Sequence, residues 1–183
     1  YTATAPKKAG EYTVKVSVEA TAEWKAATKT FDFAIAKKVL TANETKVYDG
    51  NATMPATLKG VIAGDAVTAT ITMTSKNAGA TVKEVVLAGA DKDNYVVNVT
   101  ASITPMKIGV DWEHPYDNTN VLSGTPAELL LGDEATITVT MKYAYVGAAV
   151  QSFEITGKDA GNYSLAIENV NAAIIKADIV NFT

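Results

Sequence analysis

The segments VTATITMT, residues 67–74, and ATITVTM, residues 135–141, alternate one apolar residue with one threonine. A period of two places the apolar side chains on one face of a β-strand and the threonines on the other. Threonine is β-branched and suits an exposed pleated surface. Segments around Val14 and Phe33 alternate in the same way, and no long stretch keeps a helical stripe. The sequence therefore predicts an all-β chain of short antiparallel strands folded as sandwiches.

Both segments belong to a duplication with an offset of 68 residues. Residues 48–95 align with residues 116–163 without a gap, and 16 of these 48 positions are identical. Chance would give about three identities at ordinary residue frequencies. The shared residues include a Tyr-Asp pair, a Gly-Asp pair and an Asn-Tyr pair. They are Tyr48-Asp49 and Tyr116-Asp117, Gly64-Asp65 and Gly132-Asp133, and Asn94-Tyr95 and Asn162-Tyr163.

Pairs of apolar residues five positions apart mark where one repeat ends and the next begins. They are Ile35 and Leu40, Ile103 and Ile108, and Ile174 and Ile179. These pairs predict the end of one module in residues 1–36, a whole module in 37–105 (copy A), a second in 106–175 (copy B), and the first strand of another in 176–183. Copy B is three residues longer than copy A after its corner tyrosine, and we expect the insertion in a hairpin loop.

The shared polar residues look like turn and corner positions. Gly64 and Gly132 precede an aspartate and a strand, where glycine can take a positive φ. The D-x-G-x-Y pattern in residues 159–163 resembles the tyrosine corner of immunoglobulin-type sandwiches, in which the tyrosine hydroxyl bonds the upstream backbone. Residues 91–95 are the same corner in copy A, and residues 9–12 are the expected counterpart in the first segment.

Composition excludes several classes of protein. The 183 residues are 48% hydrophobic and 20% charged, which is typical of a globular chain. There is no cysteine, so disulfides and thiolate metal centres are excluded, and the single histidine excludes a multi-histidine metal cage. Lysine supplies all 16 positive charges and the net charge is −4, which disfavours nucleic-acid binding. We expect no cofactor, and the apolar runs are shorter than the roughly 18 residues of a membrane span.

Several segments of copy A resemble the YDG repeat of bacterial surface proteins and adhesins. They are KVYDG at 46–50, LKGVIAGD at 58–65, SKNAG at 75–79, LAGADKDNY at 87–95 and ITP at 103–105. Copy B is similar but lacks the glycine after Asp117, and residues 8–12 and 33–37 resemble the related MBG-type repeat. The resemblance implies tandem Ig-like β-sandwich modules arranged end to end in a secreted or wall-attached protein, with no catalytic residue set.

Two polar clusters could carry chemistry. His114 lies in DWEHPYD at 111–117 and could act as a base, but its counterpart in copy A is Lys46, which favours a surface or seam position. Asp91 and Asp93 flank a turn beside Asn94 and could bind calcium. Position 93 is a glycine in copy B, so capping of the turn by aspartate is favoured. The recurring Asn94 and Asn162 could also form isopeptide crosslinks with lysine.

Four aromatic residues are candidate ligand contacts. Trp24 lies in a loop between two strands, and Trp112 lies near the start of copy B. An exposed tryptophan can stack on a sugar ring or anchor a protein partner, although packing at module seams or edges is favoured. Tyr143 and Tyr145 alternate with Ala144, so we expect one of them to face outward.

Together these features favour a non-catalytic segment of a bacterial cell-surface or secreted protein, acting as a semi-rigid stalk that presents other domains. Its expected partners are neighbouring modules of the same chain. One alternative is a module that binds a host protein or a glycan, and another is an accessory module of a secreted carbohydrate-active enzyme. We expect neither catalysis nor nucleic-acid binding in this segment.

Overall fold

The computed structural model describes residues 4–178, which form strands, loops and three one-turn 3-10 helices, with no α-helix in this range. The strands are β1 Gly10–Val18, β2 Ala27–Ile35, β3 Lys38–Val47, β4 Thr53–Ala56, β5 Thr68–Met73, β6 Val82–Ala88, β7 Tyr95–Thr104, β8 Met106–Lys107, β9 Val110–Pro115, β10 Val121–Gly124, β11 Thr136–Met141, β12 Val150–Thr156, β13 Tyr163–Ser164 and β14 Val170–Ile175. The 3-10 helices are Lys92–Asn94, Ala160–Asn162 and Ile167–Asn169. The all-β prediction is confirmed.

The threonine-rich segments form the middle strands of two three-stranded sheets, β4-β5-β6 and β10-β11-β12. In β5 the side chains of Ala69, Ile71 and Met73 are buried, whereas Thr68 and Thr70 are exposed. The predicted two-faced strand is therefore confirmed. Burial of the apolar face supplies the main stabilisation of such a strand, at about 25 cal/mol per Å² of apolar surface.

Hydrogen bonds outside the strands repeat with the 68-residue offset, so the two copies share one backbone framework. The Met73 amide donates to the Ala52 carbonyl at 2.8 Å, and the Met141 amide donates to the Asn120 carbonyl at 2.7 Å. The tyrosines of the shared Tyr-Asp pairs also occupy equivalent backbone positions. The module boundaries themselves stay a prediction, and Ile179 and residues 180–183 lie outside the described residues, as do residues 1–3.

The expectation of purely antiparallel pairing is wrong at the edges of copy B. The pairs β9 with β14 and β8 with β13 are parallel, whereas β10, β11 and β12 are antiparallel neighbours. Parallel neighbours need a long crossover connection, and the three-stranded sheet between β9 and β14 supplies it. The first and last strands of copy B therefore run in the same direction.

The extra residues of copy B do not lie in a hairpin loop as expected. In copy A the last strand, β7, runs unbroken for ten residues. In copy B the equivalent stretch is split into β13 and β14, with the 3-10 helix Ile167–Asn169 between them. The insertion is accommodated because a single helical turn absorbs additional residues while the flanking strands keep their pairing.

The described residues divide into two compact units. The first contains residues 4–44, 53–72 and 82–101. Leu40 and Ile71 are fully buried in it. Its strands β1 and β2 form an antiparallel hairpin with Tyr12 opposite Phe33 and Val14 opposite Phe31. Valine and phenylalanine side chains on one face of this hairpin are exposed by 40–59%.

The second unit contains residues 45–52, 73–81 and 102–178. Its apolar core is built mainly from alternate residues of β11, together with residues of the first and last strands of copy B. The fully or almost fully buried side chains include Ile108, Val110, Ile137, Val139, Met141 and Ile174. This unit contains the whole of copy B, residues 106–175, and three short parts of copy A, residues 45–52, 73–81 and 102–105.

A left-handed backbone follows each Tyr-Asp pair. Gly50 has φ +77°, and Asn118, which replaces it in copy B, has φ +68°. Asparagine is one of the few residues with a side chain that tolerate this conformation. The loss of the glycine after Asp117 therefore leaves the turn intact.

Two glycines of copy B provide a matched test of close packing. Both Gly132 and Gly157 have positive φ, but a Cβ at Gly157 would lie 2.6 Å from the Glu134 carbonyl oxygen, whereas Gly132 has open space. Gly132→Ala should cost about 1–2 kcal/mol in unfolding free energy because of its backbone conformation. Gly157→Ala should cost about 1–3 kcal/mol more because of the added clash. Urea unfolding checks this, and equal losses would contradict the packing argument.

Candidate functional site

The Gly-Asp turn of copy B holds a buried carboxylate with three donors. The side chain of Asp133 is 3% exposed. Its Oδ2 accepts the Tyr163 hydroxyl at 2.6 Å and the Tyr48 hydroxyl at 2.8 Å, and its Oδ1 accepts Lys76 Nζ at 3.3 Å. We call these four residues the Asp133 cluster, and all of them belong to the second unit. A buried carboxylate is stable only when such donors replace its water.

Tyr163 is the corner tyrosine of copy B. It begins β13 directly after a 3-10 helix, and its hydroxyl oxygen also accepts the Leu130 amide at 3.0 Å. In copy A the Tyr95 hydroxyl donates to Asp65 and accepts the Ile62 amide. The predicted link from the corner hydroxyl to the upstream backbone is confirmed. The carboxylate partner was not predicted, although both the aspartate and the tyrosine recur in the sequence.

Tyr48 brings copy A to the carboxylate of copy B. This tyrosine of the Tyr-Asp-Gly motif is 2% exposed, and its ring meets the Tyr163 ring edge-on with 5.7 Å between centroids. Lys76 Nζ lies 5.9 Å from the centre of the Tyr48 ring. One carboxylate thus binds tyrosines from two consecutive repeats. Charge-assisted hydrogen bonds of this kind are stronger than neutral ones.

The corner asparagine makes a second link to the preceding repeat. Asn162 is 3% exposed, its Oδ1 accepts the Ala78 amide at 2.9 Å, and its Nδ2 donates to Asn77 Oδ1 at 3.3 Å. In the first unit, Asn94 Oδ1 accepts the Ala9 amide at 2.9 Å. These bonds account for the recurrence of both asparagines without a crosslink.

Residues 9–12 are therefore not the counterpart of the corner, as the sequence suggested. Ala9 takes the position of Ala78, because both amides bind a corner asparagine. The Tyr12 hydroxyl nevertheless makes the bond to upstream backbone that the corner pattern predicts, because it donates to the Lys8 carbonyl at 2.7 Å. A signal for this loop was present in the sequence, since Lys-x-Ala-Gly occurs at both 7–10 and 76–79.

Protonation in the cluster follows from these contacts. Burial acts to raise the pKa of Asp133, but the hydrogen bonds from Tyr163, Tyr48 and Lys76 outweigh it and lower that pKa. Burial, and then the hydrogen bond to Asp133, raises the pKa of Tyr163 to about 12. The same two causes raise the pKa of Tyr48. At neutral pH the carboxylate is charged and both hydroxyls keep their protons, so the cluster is built to hold structure.

His114 occupies the place of a lysine at the Tyr-Asp turn. Its Nε2 lies 2.9 Å from Asp117 Oδ2, as Lys46 Nζ lies 2.7 Å from Asp49 Oδ1 in copy A. Hydrogen bonds from the Thr119 side chain and amide, and then His114, hold the pKa of Asp117 at about 2. His114 is thus partly exposed, which agrees with the surface or seam position favoured by the sequence, whereas its pairing with Asp117 was not predicted.

The aspartates of the corner bind backbone. Asp91 Oδ2 accepts the Ala66 amide at 2.9 Å, and Asp159 Oδ2 accepts the Glu134 amide at 3.0 Å. The expected capping of the turn is wrong, because neither side chain bonds an amide of its own 3-10 helix and each instead binds an amide 25 residues upstream. Among residues 4–178 there is no group of three or more histidine, aspartate or glutamate side chains that could hold a metal ion.

The four aromatic candidates belong to different units: Trp24 to the first, and Trp112, Tyr143 and Tyr145 to the second. Trp24 is 73% exposed in the loop between β1 and β2, so its expected packing is wrong. Trp112 is half-buried and its ring packs against Gly124. A Cβ added to Gly124 would lie 3.1 Å from the Trp112 ring. The sequence predicted that one of Tyr143 and Tyr145 faces outward, but both are exposed because they lie in a bend between strands. Their rings stack at 5.0 Å. A ligand at any of these residues stays a prediction.

The fold and the cluster define an all-β protein with internal repeats joined by recurring polar residues. The sequence model of the YDG domain family matches residues 14–105, and the chain belongs to this family. No curated protein and no solved structure matches the chain. Within the part of the chain that the structure describes, no helix is long and apolar enough to cross a membrane.

Removing single hydroxyls tests the Asp133 cluster. Tyr163→Phe should lower the unfolding free energy by about 1.5–3 kcal/mol, because it removes a hydrogen bond to a buried charge. Tyr48→Phe should cost about 1–2 kcal/mol, because Tyr163 and Lys76 remain. Tyr116→Phe is the matched control in copy B. It should change stability by less than about 0.5 kcal/mol, since Tyr116 is 43% exposed. Equal effects of Tyr48→Phe and Tyr116→Phe would contradict the assignment.

The pKa shifts predict losses of stability at both ends of the pH range. Because the pKa of Asp133 is below its unfolded value of 3.8, its contribution is complete above about pH 4 and is lost as pH falls through the folded pKa. Because the pKa of Tyr163 rises from 10.0 to about 12, its contribution is complete below pH 10 and is lost as pH rises toward 12. Urea unfolding against pH measures both. Asp133→Asn should flatten the acid limb and Tyr163→Phe the alkaline limb; unchanged limbs would contradict these causes.

Proposed function

We propose that this chain is a non-catalytic structural segment of a bacterial cell-surface or secreted protein, in which consecutive modules form a semi-rigid stalk that presents other domains. The Asp133 cluster is the observation that carries the proposal. It joins the shared tyrosine of copy A to the shared aspartate and tyrosine of copy B through a buried charge. Because these hydrogen bonds join copy A to copy B, they restrict movement between the two repeats.

The shared polar residues of the repeat support a structural role. Asp65, Asp91 and Tyr95 all have partners within the fold, and their counterparts in copy B have the equivalent partners. An active site normally leaves a nucleophile, acid or base facing a cleft. Here the duplicated polar side chains bind other groups of the fold, which favours a structural role over a catalytic one.

Within this proposal, residues 37–105 and 106–175 are Ig-like modules, and residues 1–36 are the C-terminal part of an MBG-type module. Support for the last interpretation comes from the hairpin β1–β2, whose apolar face is exposed. A two-stranded hairpin is marginally stable in water unless its apolar face is covered. An apolar face of this kind is what one sheet of a sandwich presents to the other sheet.

A second candidate function is binding of a host protein or glycan. The stacked rings of Tyr143 and Tyr145, exposed by 47% and 52%, favour it because stacked aromatic surfaces suit sugar rings. Loss of binding on a glycan array with Tyr145→Ala, but not with Tyr48→Phe, would support this function over a purely structural one.

Small-angle X-ray scattering on the 183-residue chain tests the stalk. A compact globule of this length has a radius of gyration of about 16 Å, and an extended pair of modules should exceed that value clearly. The variant Tyr48→Phe/Lys76→Met/Asn162→Ala removes side-chain hydrogen bonds that join the copies and should broaden the distribution of dimensions. Tyr116→Phe should leave it unchanged. A radius near that of a globule, or a triple variant identical to the parent, would overturn the proposal.

A further inference from the structure

Copy B carries the groups with which copy A binds the following repeat, but within residues 4–178 they bind no other repeat. Tyr116 is the counterpart of Tyr48, and its hydroxyl reaches only Asn118 Oδ1, at 3.4 Å. Val146 is the counterpart of Ala78. It is 45% exposed, and its amide has no hydrogen-bond partner anywhere in residues 4–178. A hydroxyl donor and a backbone donor are thus both available.

These two donors are held in place by the last strand. The Gly147 amide donates to the Ile174 carbonyl and the Tyr116 amide donates to the Ile175 carbonyl, at 3.3 and 2.9 Å. The two carbonyls belong to consecutive residues of β14 and so point to opposite edges of the strand, which places the two loops on either side of its end. The same arrangement positions the donors of copy A, where Gly79 binds Ile103 and Tyr48 binds Thr104.

The side chains around the donors differ between the copies. Ala144 replaces Lys76 and Tyr145 replaces Asn77, so copy B lacks the lysine that binds the aspartate of the next repeat in copy A. Instead it presents the exposed Tyr145 ring, stacked on Tyr143. The surface is more apolar than its counterpart but keeps both donors.

We propose that Tyr116, Tyr145 and Val146 form a docking surface for another module of the YDG type. The incoming module supplies a Gly-Asp carboxylate that accepts the Tyr116 hydroxyl, and a corner asparagine whose Oδ1 accepts the Val146 amide. The Tyr145 ring packs against this module in place of the Asn77 contact. The inference rests on the proposed function, and names the partner of this end of copy B.

A YDG-type module fits this surface because the contacts that it would make already occur twice in the chain. A corner asparagine binds the amide of a preceding Ala-Gly loop at Ala9 in the first unit and at Ala78 in the second. The Val146–Gly147 loop has the same backbone position. A single complementary pair of polar groups, equivalent to Asp133 and Asn162 and about 30 residues apart, therefore provides an acceptor for both donors.

The experiment extends the full chain by one repeat. Residues 113–178 are appended after Thr183, because residues 177–183 align with 106–112 and complete the new copy. Amide hydrogen exchange of Val146 is compared in the 183-residue and extended chains. We expect exchange to slow at least tenfold in the extended chain, and Tyr116→Phe, silent in the parent, to lower its unfolding midpoint. Asn162→Ala in the appended copy alone should restore fast exchange at Val146.

Two internal controls separate the outcomes. Protection of the Leu130 amide in the appended copy shows that this copy has folded, because that amide binds its corner tyrosine. Protection of the Ala78 amide reports the link between copies A and B. With both controls protected, unchanged exchange at Val146, or protection that survives the Asn162→Ala change, overturns the inference alone. Fast exchange at Ala78 in the parent chain overturns the proposed function as well.

Discussion

An aspartate carboxylate that accepts a tyrosine hydroxyl is the constraint on which each repeat depends. The aspartate follows a glycine in a left-handed turn, and the tyrosine, 30 residues later, begins β7 in copy A and β13 in copy B. A carboxylate without such donors could not remain buried and charged. The bond therefore fixes the turn before the middle strand against the start of β7 in copy A and of β13 in copy B.

In the second unit the same carboxylate also joins successive repeats. The Tyr48 hydroxyl adds to Asp133 a donor from copy A, and Asn162 adds an acceptor for the loop at Ala78. The first interaction uses an aspartate that already binds the corner tyrosine of its own repeat, and the second uses the residue just before that tyrosine. A new copy of the sequence thus brings with it the means of attachment to its neighbour, which explains how duplication could lengthen the chain without a separate linker.

Much of this was predictable from the sequence, because period-two alternation and the 68-residue offset report burial and duplication directly. The buried faces of β5 and β11 and the left-handed turns at Gly64 and Gly132 followed from those patterns. The partners of Asp133 did not, because spacing along one chain does not say which donors a carboxylate meets. The insertion in copy B was misplaced for a related reason, since a helical turn between two short strands leaves no signal in composition.

The parallel pairing of β9 with β14 has a mechanical consequence. The chain enters copy B along β9 and leaves it along a neighbouring strand that runs in the same direction. A pull applied to both ends of such a copy drags the two strands past each other, so the six aligned residue pairs share the force together. Rupture in shear of this kind requires several hydrogen bonds to fail at once, whereas an antiparallel pair pulled from the same end opens one bond at a time.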